Sequence, residues 1–132
     1  MRRRLDALGA ALVCVVLAIY LGLGAGDADH VRRANEAGAR GDLGTALREA
    51  AQVTRAPATA SALVVRARAL TDGRRLAAAD RAWTAAAARS PNDWQLQYEW
   101  ARALGSLGGD IAKARRIYAR ARELNPRLPR LR

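Results

Sequence analysis

The chain has 132 residues, a formal net charge of +11 and one each of Cys, His and Met. That length suits one small domain. A lone Cys excludes an intramolecular disulfide, and a single His with no Cys beyond the first segment leaves no Cys/His set for a metal. The cations comprise 22 Arg and one Lys, Lys113. Two sources of that excess stand: the Arg- and Ala-favouring codons of a GC-rich genome, or an acidic partner, anionic lipid or nucleic acid. Nucleic acid fits poorly, because no aromatic-and-glycine RNA-binding motif and no Cys/His finger is present. Leu and Ala dominate the apolar residues, Phe is absent, and β-branched runs and Asn-Gly hairpin signals are missing after the first segment. This composition predicts an all-α fold.

Residues 1–26 read as a membrane segment. Arg2, Arg3 and Arg4 precede an uncharged run from Ala7 to Gly26, 20 residues long. As a helix it would measure about 30 Å, enough to cross a hydrocarbon core. The run is longer than the usual core of a secretory signal, which favours an uncleaved single-pass anchor. The small residues of Gly24-Ala25-Gly26-Asp27-Ala28 leave a cleaved, secreted form as the alternative. Cys14 follows Val13 and precedes Val15, Val16 and Leu17, which does not fit a lipoprotein signal. Gly22 and Gly26 have the spacing of a membrane dimer motif but lie at the edge of the run and read as a loose end. Arg32, Arg33 and Arg40 follow the span and balance the three Arg before it. The N-terminal amine and the acidic Asp27 and Asp29 then place the N-terminus in the cytoplasm and the rest outside the inner membrane.

Residues 27–132 repeat themselves. Ala67-Arg68-Ala69-Leu70 recurs 34 residues later as Ala101-Arg102-Ala103-Leu104, and Ala34-Asn35-Glu36-Ala37 is a degenerate earlier copy. A second stripe reads Leu43, Ala46, Ala50, Val53, then Leu76, Ala79, Trp83, Ala86, then Ile111, Ala114, Tyr118, Ala121. The common spacing puts each set on one side of a helix. Gly41-Asp42, Gly73 and Gly109-Asp110 punctuate each copy, where glycine can take the left-handed turn that ends a helix. Pro57, Pro91 and Pro126 fall between copies, and Ser90-Pro91-Asn92-Asp93 reads as a helix start. The pattern predicts repeats at about 28–57, 58–91 and 92–126, followed by a short basic tail. Their helices are expected at 28–40 with 43–55, 59–72 with 75–89, and 92–105 with 110–124, with boundaries uncertain by about 2–4 residues.

These residues resemble the tetratricopeptide repeat, a helix–turn–helix unit of about 34 residues. The resemblance covers about residues 28–126. Ala34, Ala67 and Ala101 match its small position in the first helix, and Leu70 and Leu104 its large position. Ala46, Ala79 and Ala114 match the small position where the helices cross. Trp83 and Tyr118 match the aromatic of the second helix, Ala86 and Ala121 its next small position, and Pro91 and Pro126 its closing proline. The first copy departs from the pattern at Ala50, Val53 and His30. The resemblance implies a right-handed α-solenoid of about three repeats behind one transmembrane helix.

It also implies a concave groove lined by the first helices, with Val31, Val64 and Tyr98 one turn before Asn35, Arg68 and Arg102. Guanidinium groups suit carboxylates, so a peptide or protein with an acidic residue is the expected partner. Of the family's carboxylate-clamp residues only Asn35 matches, and Val31 and Val65 stand at two clamp positions, which argues against a chaperone C-terminus. A competing reading pairs Arg68 and Arg102 internally with Glu99, Asp72 or Asp93. Ala46, Ala79, Trp83, Ala114 and Tyr118 are expected to pack the repeats, and Trp94 and Trp100 to join that core. Lys113, Arg116 and Arg120 are expected on a solvated outer side of the last helix, which must cap itself. No cofactor, metal or catalytic residue is expected, because no nucleophile elbow or phosphate-binding loop is present. The expected role is a membrane-anchored protein-binding scaffold in envelope assembly, export or surface-polymer machinery. The alternative is an accessory subunit acting through its membrane helix and basic outer face.

Overall fold

A computed structural model describes residues 25–54 and 58–129. Every regular element among them is a helix. Helix α1 is described from residue 25 to 39. It is followed by α2 (Leu43–Gln52), α3 (Ala58–Asp72), α4 (Leu76–Arg89), α5 (Trp94–Ser106) and α6 (Ile111–Leu124). From α2 onward each helix packs on the next. Among the described residues no helix is long and apolar enough to cross a membrane. The apolar run at 7–26 lies outside the described residues except for its last two, as does Pro57.

Asp side chains set two of the helix starts that follow turns inside a repeat. Asp42 accepts from the amide of Thr45 at 3.0 Å, and Asp110 from that of Lys113 at 2.8 Å. Asp93 caps α5 in the same way through the amides of Gln95 and Leu96. Each carboxylate satisfies an amide that has no partner within its own helix. The cap at Asp93 starts α5 at Trp94, within the margin expected around residue 92. Pro91 and Asn92 form the turn before the cap and are not part of the first helical turn. Helix α2 stops at Gln52, short of the expected residue 55, because Val53 is extended and still turns its side chain into the core.

Helix α4 is the exception among the starts. Its cap position is Arg75, whose side chain makes no capping bond. Arg75→Asp should supply the missing acceptor and raise stability by about 0.5–2 kcal/mol. Urea denaturation of the two proteins checks this, and an unchanged or lower midpoint counts against it.

The glycines inside the repeats divide two tasks. Gly41 (φ 77°) and Gly108 (φ 68°) take the left-handed turn, and in the second copy Arg74 takes it (φ 55°), not Gly73. Gly73 and Gly109 instead allow close approach. A Cβ on Gly109 would lie 3.1 Å from methyls of both Leu104 and Leu76, and one on Gly73 3.1 Å from a Leu43 methyl. These contacts bring the start of a second helix, α2 or α4, against the end of the first helix of the next copy, α3 or α5.

Small residues dominate the interior. Ala34, Ala37, Ala46, Ala67, Ala79, Ala86 and Ala121 are almost fully buried, and among the described residues Trp83, 2% exposed, is the one large side chain buried as deeply. The main cluster runs from Ala67 and Leu70 of α3 through Trp83, Leu96, Trp100 and Leu104 to Ile117 and Tyr118 of α6. Two smaller clusters join α1 and α2 to α3, one around Ala34, Ala50 and Val65, the other around Ala37, Ala46 and Ala69. Alanine at the crossings lets helix axes approach, and the aromatic groups fill the space between one helical pair and the next. His30 ties α1 to α2, with its Nδ1 2.7 Å from a carboxylate oxygen of Glu49.

One polar cluster joins three helices. Asp80 of α4 accepts from the Trp100 indole N–H of α5 at 2.9 Å and from the Lys113 ammonium of α6 at 2.7 and 2.8 Å. The same ammonium sits 5.0 Å from the centre of the Trp100 ring. This corrects the expected place of Lys113: its long stem carries the charge inward to Asp80, while Arg116 and Arg120 stay exposed. The chain after α6 turns back at Asn125, and the Tyr118 hydroxyl donates to the Pro129 carbonyl at 2.6 Å.

Candidate functional site

A cleft of about 710 Å³ lies between the exposed faces of α3 and α5. Its walls follow from helical spacing. On α5, Trp94, Tyr98 and Arg102 recur every fourth residue, and Gln95 and Glu99 form the adjoining row. On α3, Arg68 and Asp72 are also four apart. Trp83 of α4 closes the floor. Its indole N–H donates to the Thr71 hydroxyl at 3.1 Å, and that hydroxyl donates to the Ala67 carbonyl at 2.8 Å.

The two walls are tied together by one ion pair. Arg68 presents its guanidinium fork to Glu99, with both nitrogen–oxygen distances 2.6 Å. The Glu99 carboxylate raises the pKa of Arg68 above its ordinary value, against the opposing effect of desolvation. Arg102 makes no ion pair among the described residues. Its guanidinium carbon lies 5.7 Å from the centre of the Tyr98 ring, a cation–π arrangement. Tyr98 is held from behind by Tyr118, with ring centres 5.9 Å apart and planes tilted by 51°. The Pro129 carbonyl thus fixes Tyr118, Tyr118 supports Tyr98, and Tyr98 supports Arg102.

Of the six groove residues expected from the sequence, the cleft brings together Arg68, Tyr98 and Arg102. Val31, Asn35 and Val64 do not line it. Val31 packs on the cluster of Ala34 and Val65, Val64 packs on the main cluster, and the Asn35 amide donates to the Val31 carbonyl within its own helix at 3.1 Å. Of the five packing residues, Ala46, Ala79, Trp83, Ala114 and Tyr118 are all buried. Trp94, expected in the core, is half-buried and lines the mouth of the cleft. Asp72, Glu99 and Gln95 are wall residues that sequence reasoning did not place in the groove. The fourfold spacing along α5 was the available signal for Trp94.

The charges also differ from the expected polar row. Two Arg face two carboxylates, Asp72 and Glu99, so the cleft is close to neutral, and Arg102 is its one cation without a carboxylate partner. Among the described residues no group of three or more His, Cys, Asp or Glu is arranged to hold a metal. No family model, no curated protein and no solved structure matches the chain.

Proposed function

We propose that this chain is a membrane-anchored docking scaffold of the tetratricopeptide type, whose cleft between α3 and α5 takes a peptide segment of a partner protein. One observation carries the reading. The exposed faces of two first helices, in successive copies of the repeat, enclose a cleft that offers an exposed guanidinium beside two half-buried aromatic rings. The repeat spacing and the position of Ala46, Ala79 and Ala114 at buried crossings support the family reading and its right-handed solenoid. The uncharged run at 7–26 supports the anchor, with the repeats outside the inner membrane, in an assembly, export or surface-polymer system.

The near-neutral wall refines the ligand. With Arg68 held by Glu99, a partner gains most from one carboxylate, directed to Arg102, and an apolar or aromatic residue against Trp94 and Tyr98. A peptide rich in acidic residues would meet Asp72 and Glu99 as well. Selection from a displayed random-peptide library, with the full chain in neutral-lipid nanodiscs, tests this. Enriched peptides should combine one carboxylate with an aromatic or aliphatic neighbour. Arg102→Ala should weaken them about 10- to 100-fold, the range for losing a charged hydrogen bond, without changing the melting temperature. Selected peptides that bind Arg102→Ala and Tyr98→Ala as well as the parent, or a selection that enriches none, would defeat the reading.

A further inference from the structure

The second helices carry an Arg at the same place in every copy. Arg48, Arg81 and Arg116 each stand five residues after the first member of the repeated stripe, and all three are exposed. Each is two residues before the buried member, Ala50, Trp83 or Tyr118. Two residues are about 200° apart around a helix, so these Arg lie on the side facing away from the core and from the cleft floor. Arg115 and Arg120 extend the row along α6, and Arg66 meets Arg81 across a shallow groove between α3 and α4.

The nearby acidic side chains are committed elsewhere. Glu49 bonds His30, Asp80 holds Lys113 and Trp100, Asp42 and Asp110 cap their helices, and Glu123 pairs with Arg120. Among the described residues Arg48 bonds the Thr45 hydroxyl and also acts on the nearby Asp42 carboxylate, without a salt bridge, and Arg81, Arg115 and Arg116 form no ion pair. Between these Arg the outward residues are small: Ala77, Ala85 and Ala88 on α4, Ala112 and Ala119 on α6. Ile111, 49% exposed, is the one large apolar side chain described as exposed.

We propose that this outer face rests on a membrane surface of anionic phospholipid, with Arg48, Arg81 and Arg116 contacting headgroup phosphates. A low-relief Ala surface lets several Arg reach one plane together, and guanidinium groups suit phosphate oxygens. The face has no aromatic side chain on which bases could stack, which disfavours single-stranded nucleic acid. The described helix α1 already begins at residue 25, within the last two residues of the run expected in the bilayer, so the repeats stay close to that surface. The cleft opens on the other side and stays available. This assignment does not depend on what the cleft binds.

The test uses the full chain with Cys14→Ser and Ala85→Cys, a dye on the new thiol, and a quencher on the lipid headgroups. Vesicles of phosphatidylcholine are compared with vesicles that also contain phosphatidylglycerol. Quenching should appear with phosphatidylglycerol and fade as salt is raised. The pair Arg81→Gln and Arg116→Gln should lower the docked-to-undocked ratio about 10- to 30-fold, as expected for two basic residues at an anionic surface. The pair Arg68→Gln and Arg102→Gln removes the same charge from the cleft and should leave quenching unchanged. Equal quenching on the two vesicle types, or an equal loss from both pairs of substitutions, overturns the proposal. Release of the dye from phosphatidylglycerol by a DNA duplex at equal phosphate concentration also overturns it, in favour of nucleic acid. Loss of peptide capture by the cleft pair alone would bear on the cleft and not on this face.

Discussion

Trp83→Ala should destabilise the domain by about 3–5 kcal/mol, the range for truncating a buried aromatic group. Trp83 is 2% exposed and touches the centre of the main cluster, where most neighbours are alanines and leucines fixed by close helix crossings. Alanine side chains have no torsions with which to refill the space, so the cavity should stay open. A domain of this size has a total stability of about 5–15 kcal/mol. The variant should therefore melt far below the parent, at about 4–8 °C per kcal/mol, or fail to fold. Trp83→Phe separates volume from hydrogen bonding. It loses part of the ring and the bond to Thr71, but the Thr71 hydroxyl keeps its bond to the Ala67 carbonyl. The cost should be about 1–2 kcal/mol. Urea denaturation measures both. A loss under about 1 kcal/mol for Trp83→Ala would mean that Trp83 is not at the centre of the core.

Asp80→Ala should cost about 2–3 kcal/mol, because it leaves both the Lys113 ammonium and the Trp100 indole N–H without their acceptor. Lys113 and Asp80 side chains are 30% and 29% exposed, so water compensates in part and the cost falls short of that for a fully buried pair. Asp80→Asn keeps an acceptor for Trp100 and removes the charge, and should cost less. The two proteins should also respond differently to acid. Burial pushes the Asp80 carboxyl up, but bonds from the Lys113 ammonium and the Trp100 indole outweigh it and hold its pKa below the usual carboxylate range. The folded state therefore binds the proton more weakly than the unfolded chain. The stabilisation is complete above the unfolded pKa and is lost as pH falls through the folded one. The stability gap between parent and Asp80→Asn should be full at neutral pH and shrink below about pH 4. Other carboxylates titrate in both proteins, so the difference isolates Asp80. A gap that stays constant into acid would show that the charge on Asp80 contributes nothing.

The same cluster shows why part of the fold was hard to read in advance. Asp80, Trp100 and Lys113 come from three helices, and no local pattern links positions 80, 100 and 113. Lys113 has the spacing of an exposed residue beside Arg116. Only the packing of α6 on α5, and of α5 on α4, shows that its stem can reach a carboxylate of α4. The pairing of Arg68 with Glu99 is similar. The sequence offered Glu99 as one of three partners for Arg68 or Arg102, and the separation of α3 and α5 selects it. That choice neutralises one of the two Arg and changes the ligand the cleft suits.

What the sequence by itself determined was local and periodic. Helical composition, the stripes ending at Val53, Ala86 and Ala121, and the turns at Gly41, Gly73 and Gly109 define the helices and their buried sides. This follows because a side chain's position around a helix depends only on residue spacing. The small residues at 46, 79 and 114 likewise marked buried positions. The tertiary structure decided which equivalent positions share a surface. Asn35, Arg68 and Arg102 occupy matching places in three copies, yet the cleft joins only the last two, because its extent depends on the angle and separation of α3 and α5. Those are set by the volumes of Trp83, Trp100 and Tyr118 packed between the copies, a property of the assembled core that periodicity does not encode.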